Sequence, residues 1–472
     1  MSKLIVVSNR TPSKTAAAGG LAVALQAALA DREGFWFGWS GEFVTKPTTE
    51  ITFRDVGDIK VGGIGLTKQD FNAYYAGYSN RILWPSFHLR LDLAHFDNSW
   101  YEGYRSVNAQ FAAALMPHLE PEDTIWVHDY HLIPLAEELR RLGAENRIGY
   151  YLHIPFPTPD ALFAVPHHEE LLHDLSRYDL IGVQAHRDVA ALREAIDHAV
   201  PPAFGGATRR PADFSNTQIA AFPIGSDPEA FAKLATGAAA NKMANRLRTS
   251  LRGNDLIMGV DRLDYSKGLP QRLEAYEKLL VYNANLRRKV HMLQVAPPSR
   301  DMISEYRDTS DTVDAICGRV MGRFSEPDWQ PLTYVKRPYG QASLAGIYRL
   351  AKVGLVTPLR DGMNLVGHEY VAAQDPENPG VLVLSRFAGA AEIFADAIQV
   401  NPFDTDETAE AMRVALEMSL DERKARWQTL FAAATKHNIH SWGTDYLKAL
   451  MAREERETSK DESPHKDRKI AS

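Results

Sequence analysis

Short apolar runs recur along the chain, and longer segments with helical periodicity separate them. The runs are LIVVS (4–8), TIWVH (124–128), IGYYLH (148–153), LIGVQ (180–184), LIMGV (256–260), VHMLQVA (290–296), VGLVT (353–357) and VLVLS (381–385). They are almost continuously apolar, which is typical of strands covered on both faces. Stretches such as GLAVALQAALA, PQRLEAYEKLLVYNANLRRK and DETAEAMRVALEMSL show the helical period. Strands alternating with helices predict an α/β fold with parallel sheets.

The strand and helix pattern restarts near AAFPIGSDPEAF (220–231), after a polar segment that contains proline. We therefore expect two domains, 1–226 and 227–435, whose sheets face each other across a cleft at the carboxyl ends of their strands. A helix over 436–455 is expected to pack back on the first domain. Residues 456–472 are charged and nearly devoid of apolar side chains, which predicts a disordered tail.

Charge and cysteine content narrow the class of protein. The chain has 472 residues, a net charge of -7 and a single cysteine, Cys317. This charge argues against a polybasic surface for nucleic acid or membrane, so we expect neither partner. A lone thiol fits a reducing cytosol. Since no apolar run reaches the roughly 18 residues of a membrane span, and MSKLIVVSNR lacks a signal-peptide core, we expect a cytoplasmic protein.

The densest cluster of polar residues follows a predicted strand, in TPLRDGMNLVGHEYVAAQ (357–374). A turn at Asp361 would lead into a helix that begins at Asn364 and Leu365, whose unpaired N–H groups could bind a phosphate. Glu369 lies about one turn further on, where a carboxylate can accept hydrogen bonds from both ribose hydroxyls. Asp361 would then be free to bind hydroxyls of a transferred sugar. The segment predicts a sugar-nucleotide site.

Two cations leave another strand end together, in GVDRLDYSKGLPQRL (259–273). Arg262 can bind a diphosphate through two hydrogen bonds, and Lys267 can add a point charge. The alternative is a surface ion network with Asp261 or Asp264.

A third phosphate candidate lies near the N terminus. Arg10 follows the first strand, and Gly20 opens a helix in GGLAVALQAAL. Glycine allows close backbone approach, and a helix N terminus attracts anions. An ordinary glycine turn is the alternative. The segment lacks the G-x-G-x-x-G spacing of a dinucleotide fold.

Histidines and an aspartate follow two further strands, in WVHDYHL and YLHIPFPTP. The spacing of HDYH fits no standard zinc motif, so we expect no metal and interpret His128 and His131 as structural. Asp129 and His153, each at a strand end, are better placed to bind sugar hydroxyls.

Aromatic residues in FWFGWSGE (35–42) and YYAGYSNRILWPSFH (74–88) add further candidates. Trp39, Tyr75 and Trp84 could pack on sugar rings, although core packing is the alternative for most aromatics here. Arg300 follows a strand and two prolines in QVAPPSRD.

Together these motifs resemble glycosyltransferase family 20, the trehalose-6-phosphate synthases, which are retaining enzymes with two Rossmann-like domains (GT-B). The resemblance extends to about position 450 and rests on SNR…GGLAV, WFGWSG, LWPSFH, HDYHL, LHIPFPTP, DRLDYSKG, PPSRD and TPLRDGMNLVGHE. The family transfers glucose from UDP-glucose to glucose 6-phosphate, giving α,α-trehalose 6-phosphate and UDP. The resemblance implies the same reaction here, with UDP-glucose as a substrate and no required cofactor. We also expect a homo-oligomer, either a dimer or a tetramer.

The resemblance assigns roles residue by residue. It implies that the catalytic residues are Asp129, His153, Arg262, Lys267 and Asp361. It implies that the donor contacts Gly20, Arg262, Lys267, Asp361, Asn364, Leu365 and Glu369. It implies that the acceptor contacts Arg10, Trp39, Tyr75, Trp84, Asp129 and Arg300. Family members are thought to react on one face of the sugar, and we find no carboxylate pair spaced for a covalent intermediate.

One residue departs from the family pattern, because Gln341 stands where family members usually carry an arginine. Arg337 would have to compensate, so the nucleotide preference stays open. Two other functions also stay open. One is a sister glucosyltransferase with another phosphorylated acceptor, such as glycerol 3-phosphate, and the other is a sensor of sugar phosphates without catalysis.

Overall fold

The computed structural model describes residues 2–12, 25, 29, 32–199, 212–300 and 303–461, with side chains described as far as 452. Two separate sheets account for its strands, eight in one and six in the other. Helices cover both faces of each sheet, which explains why the strand sequences are apolar on both sides.

The first sheet carries the strands of the N-terminal half in the order β3-β4-β2-β1-β5-β6-β7-β8. All its neighbours pair in parallel except β3 and β4, which form an antiparallel pair at one edge. Its strands are β1 (Leu4–Arg10), β2 (Gly34–Phe43), β3 (Thr52–Val56), β4 (Ile59–Leu66), β5 (Thr124–His128), β6 (Arg147–Tyr151), β7 (Leu180–Val183) and β8 (Gln218–Ala221).

The helices around this sheet include an unusual π-helix, Asn72–Leu83, whose buried apolar residues share one core cluster with residues of the strands. The α-helices are α1 (Lys68–Phe71), α2 (Trp84–Phe87), α3 (Asn98–Leu115), α4 (Leu135–Arg141), α5 (Pro159–Phe163), α6 (His168–Leu175) and α7 (His186–Asp197). Short 3-10 turns lie at Leu91–Leu93, Met116–His118 and Tyr130–Leu132.

The second sheet is entirely parallel, in the order β11-β10-β9-β12-β13-β14. Its strands are β9 (Asp255–Val260), β10 (Val290–Val295), β11 (Leu332–Val335), β12 (Val353–Val356), β13 (Val381–Ser385) and β14 (Ile398–Val400). The chain order steps out to one side of β9 and then returns to the other side. This reversal creates a crevice at the carboxyl ends of β9 and β12, where ligands of open α/β sheets bind.

The helices described in the second half comprise two before β9, one after each of β9, β10, β11 and β12, and three after β14. They are α8 (Pro228–Ala235), α9 (Ala238–Leu251), α10 (Leu269–Tyr282), α11 (Ser304–Phe324), α12 (Gln341–Leu350), α13 (Leu365–Ala373), α14 (Thr405–Glu417), α15 (Leu420–Lys436) and α16 (Ile439–Asp461). The 3-10 turns are Tyr265–Lys267, Ala284–Leu286 and Gly389–Glu392.

The last helix, α16, crosses back to the first sheet. Tyr446 is fully buried and donates a hydrogen bond to the carbonyl of Tyr150 at 3.0 Å. Its ring also stacks on Trp126, with the centroids 4.7 Å apart. Because the side chains of α16 bury against β5 and β6, this helix ties the C-terminal end of the chain to the first sheet.

The predicted α/β class with two parallel-sheet domains is confirmed. All eight apolar runs are strands, whereas the segment FWFGWSGE, read only as aromatic-rich, forms β2. The exact domain boundary near 226 stays a prediction. The helix predicted in GLAVALQAALA lies outside the described residues apart from Leu25 and Leu29, and so do residues 462–472 of the predicted tail.

Candidate functional site

The carboxyl ends of the two sheets meet at a glycine. A Cβ atom at Gly362 would overlap the carbonyl oxygen of His153, which follows β6 in the first domain. A side chain at this position would therefore push the two domains apart. The close approach places Asp361, the residue before this glycine, next to the exit of β6.

Further polar contacts cross between the domains near this point. Arg360 donates a hydrogen bond to the carbonyl of Phe156 at 2.7 Å. The carboxylate of Glu392 accepts from the backbone N–H groups of His186 and Arg187, at 2.8 and 3.3 Å. Those N–H groups are unpaired because they open helix α7, so a side chain of one domain caps a helix of the other.

In the second domain, the carboxylate of Asp361 accepts two hydrogen bonds at the crevice of the sheet. Asp361 Oδ2 accepts from Lys267 Nζ at 2.5 Å and from Asn364 Nδ2 at 3.1 Å. Asn364 has a φ of 72° and caps α13, since its Oδ1 accepts from the N–H of Val366. Asparagine tolerates this left-handed conformation better than most residues. The arrangement brings a cation and the N terminus of a helix to the same point, which suits a phosphate.

Arg262 lies exposed beside this group, immediately after the buried Asp261. Burial would raise the pKa of Asp264, but the charges of Arg300 and then Arg262 lower it below its usual value. Although Asp264 is fully buried, these cations keep its carboxylate ionised. The predicted alternative of a purely superficial ion network does not describe this cluster, because its carboxylates are buried.

Glu369 lies on α13, one turn beyond Asn364. Burial raises its pKa to about 7, although the hydroxyl of Tyr348 donates a hydrogen bond to it at 3.3 Å. Tyr348 lies on the neighbouring helix α12. The carboxylate is therefore poised between its two protonation states near neutral pH, and donors from a ligand would favour the ionised form.

Asp129 follows β5 in a strained conformation, with a φ of 77°. Its N–H donates to the carbonyl of Tyr151, and its Oδ1 accepts from the N–H of His153 at 3.3 Å. Burial raises the pKa of Asp129 to about 6. Backbone strain of this kind clusters at functional sites, where the surrounding structure enforces it.

His153 pairs with a second histidine. Its Nε2 lies 3.1 Å from Nδ1 of His128, and His128 is fully buried. Burial lowers the pKa of His153 to about 3 and lowers that of His128 as well. Both rings are therefore neutral at pH 7, so one nitrogen donates and the other accepts, and the pair fixes the orientation of His153.

Arg300 reaches from the second domain to the aromatic residues of the first. Its guanidinium carbon lies 3.9 Å from the centre of the Trp84 ring. Its Nη2 donates to the hydroxyl of Tyr130 at 3.1 Å, and its Nη1 lies 3.5 Å from Asp264. The indole N–H of Trp84 is buried with no hydrogen-bond partner among the described residues. This group therefore has donors to offer to an anionic ligand.

Arg10, Trp39 and Tyr75 belong to one set of contacts in the first domain. The guanidinium of Arg10 is exposed and lies 5.2 Å from the Trp39 ring centre. Phe71 packs between Trp39 and Tyr75, with ring centroids 5.2 and 5.0 Å away respectively. Trp39 is only 5% exposed and packs in the core, as the alternative interpretation of the aromatic residues predicted.

The structure thus places the candidates at the junction of the domains and on either side of it. Asp129, His153 and Asp361 meet at the junction of the domains, with Lys267, Asn364 and Glu369 on one side and Trp84 and Arg300 on the other. Gly20 lies outside the described residues. Gln341 begins α12 at an exposed position, and the exposed Arg337 donates to the hydroxyl of Tyr339 at 3.2 Å.

Sequence reasoning missed several residues around this site, among them Tyr130 and His88. Tyr130 lies inside the quoted motif HDYHL, yet its hydroxyl joins Arg300 to Asn80. His88 ends the motif LWPSFH, and its Nδ1 donates to the carbonyl of Trp84 at 2.7 Å. Burial lowers the pKa of His88 to about 4. Their inclusion in motifs was the only sequence signal, because nothing local distinguishes a site residue from a core residue.

Within the described ranges, no group of three or more His, Cys, Asp and Glu side chains is arranged to hold a metal ion. The same part of the chain has no helix that is both long enough and apolar enough to cross a membrane.

Comparisons with known proteins agree with the family that the motifs predict. The family model described as glycosyltransferase family 20 matches residues 3–452. A trehalose-6-phosphate synthase of Sinorhizobium fredii is 46% identical over 466 residues, covering 97% of this chain and 100% of the relative.

Solved structures give the same result. An α,α-trehalose-phosphate synthase (UDP-forming) from Burkholderia xenovorans, in complex with glucose-6-phosphate, has a TM-score of 0.89 at 45% identity, covering 95% of this chain and 100% of that one. A structure from E. coli bound with UDP-2-fluoro glucose has a TM-score of 0.89 at 43% identity, covering 95% of this chain and 99% of that one.

Proposed function

Because the chain belongs to glycosyltransferase family 20, we propose that it transfers glucose from UDP-glucose to glucose 6-phosphate with retention of configuration. The products are α,α-trehalose 6-phosphate and UDP. The GT-B fold, with two parallel-sheet domains facing across a cleft, is that of the solved family structures.

The observation that carries this proposal is the placement of Asp361. It lies between the cation Lys267 of the second domain and the exit of β6 in the first domain, where His153 and Asp129 lie. A glucosyl donor anchored on the second domain would therefore present its sugar to an acceptor held by the first. This juxtaposition is what a transferase between two sugars requires.

The donor would lie along α13 and the turn before it. The N–H groups that open α13, at Leu365 and beyond, together with Lys267 and Arg262, bind the diphosphate. Glu369 accepts hydrogen bonds from the ribose hydroxyls, as an acidic residue does in related nucleotide folds. Asp361 would exchange its ion pair with Lys267 for hydroxyls of the transferred glucose.

The acceptor would lie between the domains. Arg300 and Arg10 provide cations for the 6-phosphate of the acceptor glucose. Trp84, Tyr75 and Trp39 supply ring faces and polar edges that suit a sugar. Asp129 and His153 bind hydroxyls at the point where the two sugars meet.

Catalysis then consists of positioning and charge stabilisation. As the C1–O bond of the donor breaks, negative charge grows on the leaving phosphate, and Arg262 and Lys267 stabilise it. The leaving phosphate oxygen takes the proton from the acceptor hydroxyl, and the acceptor oxygen bonds to C1 on the same face. His153 remains neutral throughout, because burial keeps its pKa at about 3. It therefore acts as a hydrogen-bond partner of the sugar and not as a cation.

UDP-glucose is a substrate in this scheme, and no step requires a cofactor. The proposed location is the cytoplasm, where both substrates occur, and the proposed assembly is a homo-oligomer. Sedimentation velocity of the purified chain tests the assembly.

A donor and acceptor panel tests the function. UDP-, ADP- and GDP-glucose are each incubated with glucose 6-phosphate or glycerol 3-phosphate, and the product is identified by mass and by NMR of its anomeric protons. We expect trehalose 6-phosphate with two α-configured C1 centres. A product only with glycerol 3-phosphate would indicate a sister transferase. Binding of glucose 6-phosphate without any product would indicate a sensor. The donor that reacts fastest settles the consequence of Gln341.

A further inference from the structure

A buried arginine lies beneath the donor crevice; it falls within the quoted segment GVDRLDYSKGLPQRL, but no role was assigned to it there and the proposed contacts do not include it. Arg272, on α10, is 1% exposed as a residue, and none of its side-chain surface is accessible. A charge removed from water in this way is costly unless it is paired and fully hydrogen-bonded. Its partners therefore indicate what the rest of the fold gains from it.

The guanidinium has four partners on three separate segments of the second domain. Nη2 donates to Asp261 Oδ2 at 2.7 Å, after β9, and to the carbonyl of Lys267 at 3.3 Å. Nε donates to Thr357 Oγ1 at 3.0 Å, after β12. Nη1 donates to Gln294 Oε1 at 3.3 Å, on β10. Each nitrogen of the planar group thus has a partner in a fixed direction.

Three of these partners are adjacent to groups that the donor would contact. Asp261 precedes Arg262, and its other oxygen lies 3.5 Å from Asn364 Nδ2. The carbonyl bonded at Lys267 belongs to the same residue whose ammonium faces Asp361. Thr357 begins the segment that leads to Asp361 and the N terminus of α13. Arg272 therefore fixes the loops that carry Arg262 and Lys267. Because its side chain is fully buried, it would not itself contact the nucleotide sugar.

The sequence around the guanidinium is adapted to it. A Cβ atom at Gly259, on β9, would lie 2.9 Å from Arg272 Nη1 and would overlap the amide oxygen of Gln294. Only glycine leaves room for both groups. Lysine could not replace the arginine, since a point charge on a flexible stem cannot make bonds in three fixed directions.

We propose that Arg272 is a positioning residue that holds Arg262, Lys267 and Asn364 in place for the donor diphosphate. The inference rests on the proposed function, because it assigns the second domain to the nucleotide sugar. Its loss disturbs the donor side selectively, because every partner named above lies in the second domain. The acceptor residues Arg10, Trp39, Tyr75 and Trp84 share no hydrogen bond with it.

Arg272→Lys and Arg272→Ala test this, with Arg105→Lys and Arg105→Ala as matched controls. Arg105 is also a largely buried arginine, with 14% of its side chain exposed and ion pairs to Glu138 and Asp174, but it lies in the first domain. For each variant, steady-state KM values are measured for UDP-glucose and for glucose 6-phosphate, UDP binding is measured by calorimetry, and folding is measured by circular dichroism.

We expect Arg272→Lys to raise the KM for UDP-glucose and the Kd of UDP by about tenfold, because hydrogen bonds to a charged group are lost. The KM for glucose 6-phosphate should change less than about twofold, since no acceptor residue bonds to Arg272. Millimolar guanidinium should restore part of the donor affinity of Arg272→Ala, since it can refill the cavity. Arg105→Lys should change stability without separating the two KM values.

A milder change, Thr357→Val, keeps the test decisive if the arginine variants do not fold. It removes one hydrogen bond of the same guanidinium, and we expect it to raise only the donor KM, by about threefold. Equal changes of both KM values in the folded variants, or unchanged UDP affinity, would overturn the positioning role. If the wild-type chain transfers glucose to no acceptor, the proposed function is wrong. The effect of the variants on the Kd of UDP would then still test the positioning role of Arg272.

Discussion

The proposed donor side and the proposed acceptor side of the cleft are built differently. The donor groups Lys267, Asn364 and Glu369 all belong to the second domain and are held by neighbours within it. The acceptor groups come from both domains, since Arg300 of the second lies on Trp84 of the first. Donor binding should therefore tolerate a change in the relation of the domains, whereas acceptor binding should depend on it.

The charges on the two sides differ in the same way. Lys267 already has a carboxylate partner, Asp361, and Arg262 is exposed, so an arriving diphosphate replaces an existing partner or water. Arg300 is 8% exposed on its side chain and lies among aromatic rings. An acceptor phosphate would have to compete with Asp264 for it. We infer that the donor site is formed within the second domain, whereas the acceptor site needs residues of both domains.

The largest expected effect follows from removing either cation of the proposed donor site. Lys267→Ala and Arg262→Ala should each lower kcat by about 100- to 1,000-fold, as is usual when a group that stabilises transition-state charge is removed. The midpoint of thermal unfolding should change by only about 2 °C. Lys278→Ala is the matched control, because Lys278 pairs with Asp406 at 2.7 Å on the surface of the same domain. Full activity in either active-site variant would contradict the leaving-group role.

Arg300→Lys should weaken the binding of the acceptor without weakening that of the donor. Lysine keeps the charge but loses the fork that bridges Tyr130, Tyr306 and Asp264. We expect the KM for glucose 6-phosphate to rise about tenfold and the Kd of UDP to stay within about twofold. Arg319→Lys serves as the control, since Arg319 is a half-exposed arginine of α11 paired with Glu277. A larger effect on UDP than on glucose 6-phosphate would reverse the assignment of the two sides.

The pH dependence of donor binding follows from Glu369. Its pKa in the folded protein is about 7, against an ordinary value of 4.5, because it is buried. Ribose hydroxyls donate to the ionised form, so UDP binding should release protons and tighten by about fivefold to tenfold between pH 6 and pH 8. Glu369→Gln should bind UDP more weakly and remove this dependence. Calorimetry at several pH values measures both, and a wild-type affinity that falls with pH would contradict the assignment.

The same carboxyl group predicts a stability effect of known sign. Between pH 4.5 and about 7 the folded chain binds more protons at Glu369 than the unfolded chain does. The free energy of unfolding therefore falls as pH rises through this window. Glu369→Gln should flatten this slope in urea unfolding curves, and an equally steep slope in the variant would assign it to other groups.

The smallest expected effect concerns the contact between domains. Glu392→Gln weakens the cap that the second domain places on α7 of the first. We expect the KM for glucose 6-phosphate to rise about twofold, with the donor KM unchanged, since one exposed charged cap is worth about 1 kcal/mol or less. Glu407→Gln is the control, because Glu407 pairs with Arg386 within the second domain. An equal change in both KM values would show that the donor side also depends on this contact.

Much of the donor side could be read from local sequence. Asn364, Leu365 and Glu369 lie within one turn of each other along the chain, so a strand followed by a helix predicts their arrangement. Arg262 and Lys267 share one short loop for the same reason. Arg272 follows them by only a few residues, yet it was not identified, because its partners Gln294 and Thr357 come from other strands. A buried arginine on a helix has no local signature.

The amino-acid sequence by itself determined the α/β class, the two parallel sheets and the strand ends where polar residues accumulate. It did so because burial on both faces and helical periodicity are recorded in neighbouring residues. Only the tertiary structure decided that His128 pairs with His153, that Arg300 lies on Trp84 and that Arg272 joins the loops of three strands. Those contacts depend on how elements distant in the chain pack, and packing follows from the whole core and not from any single segment.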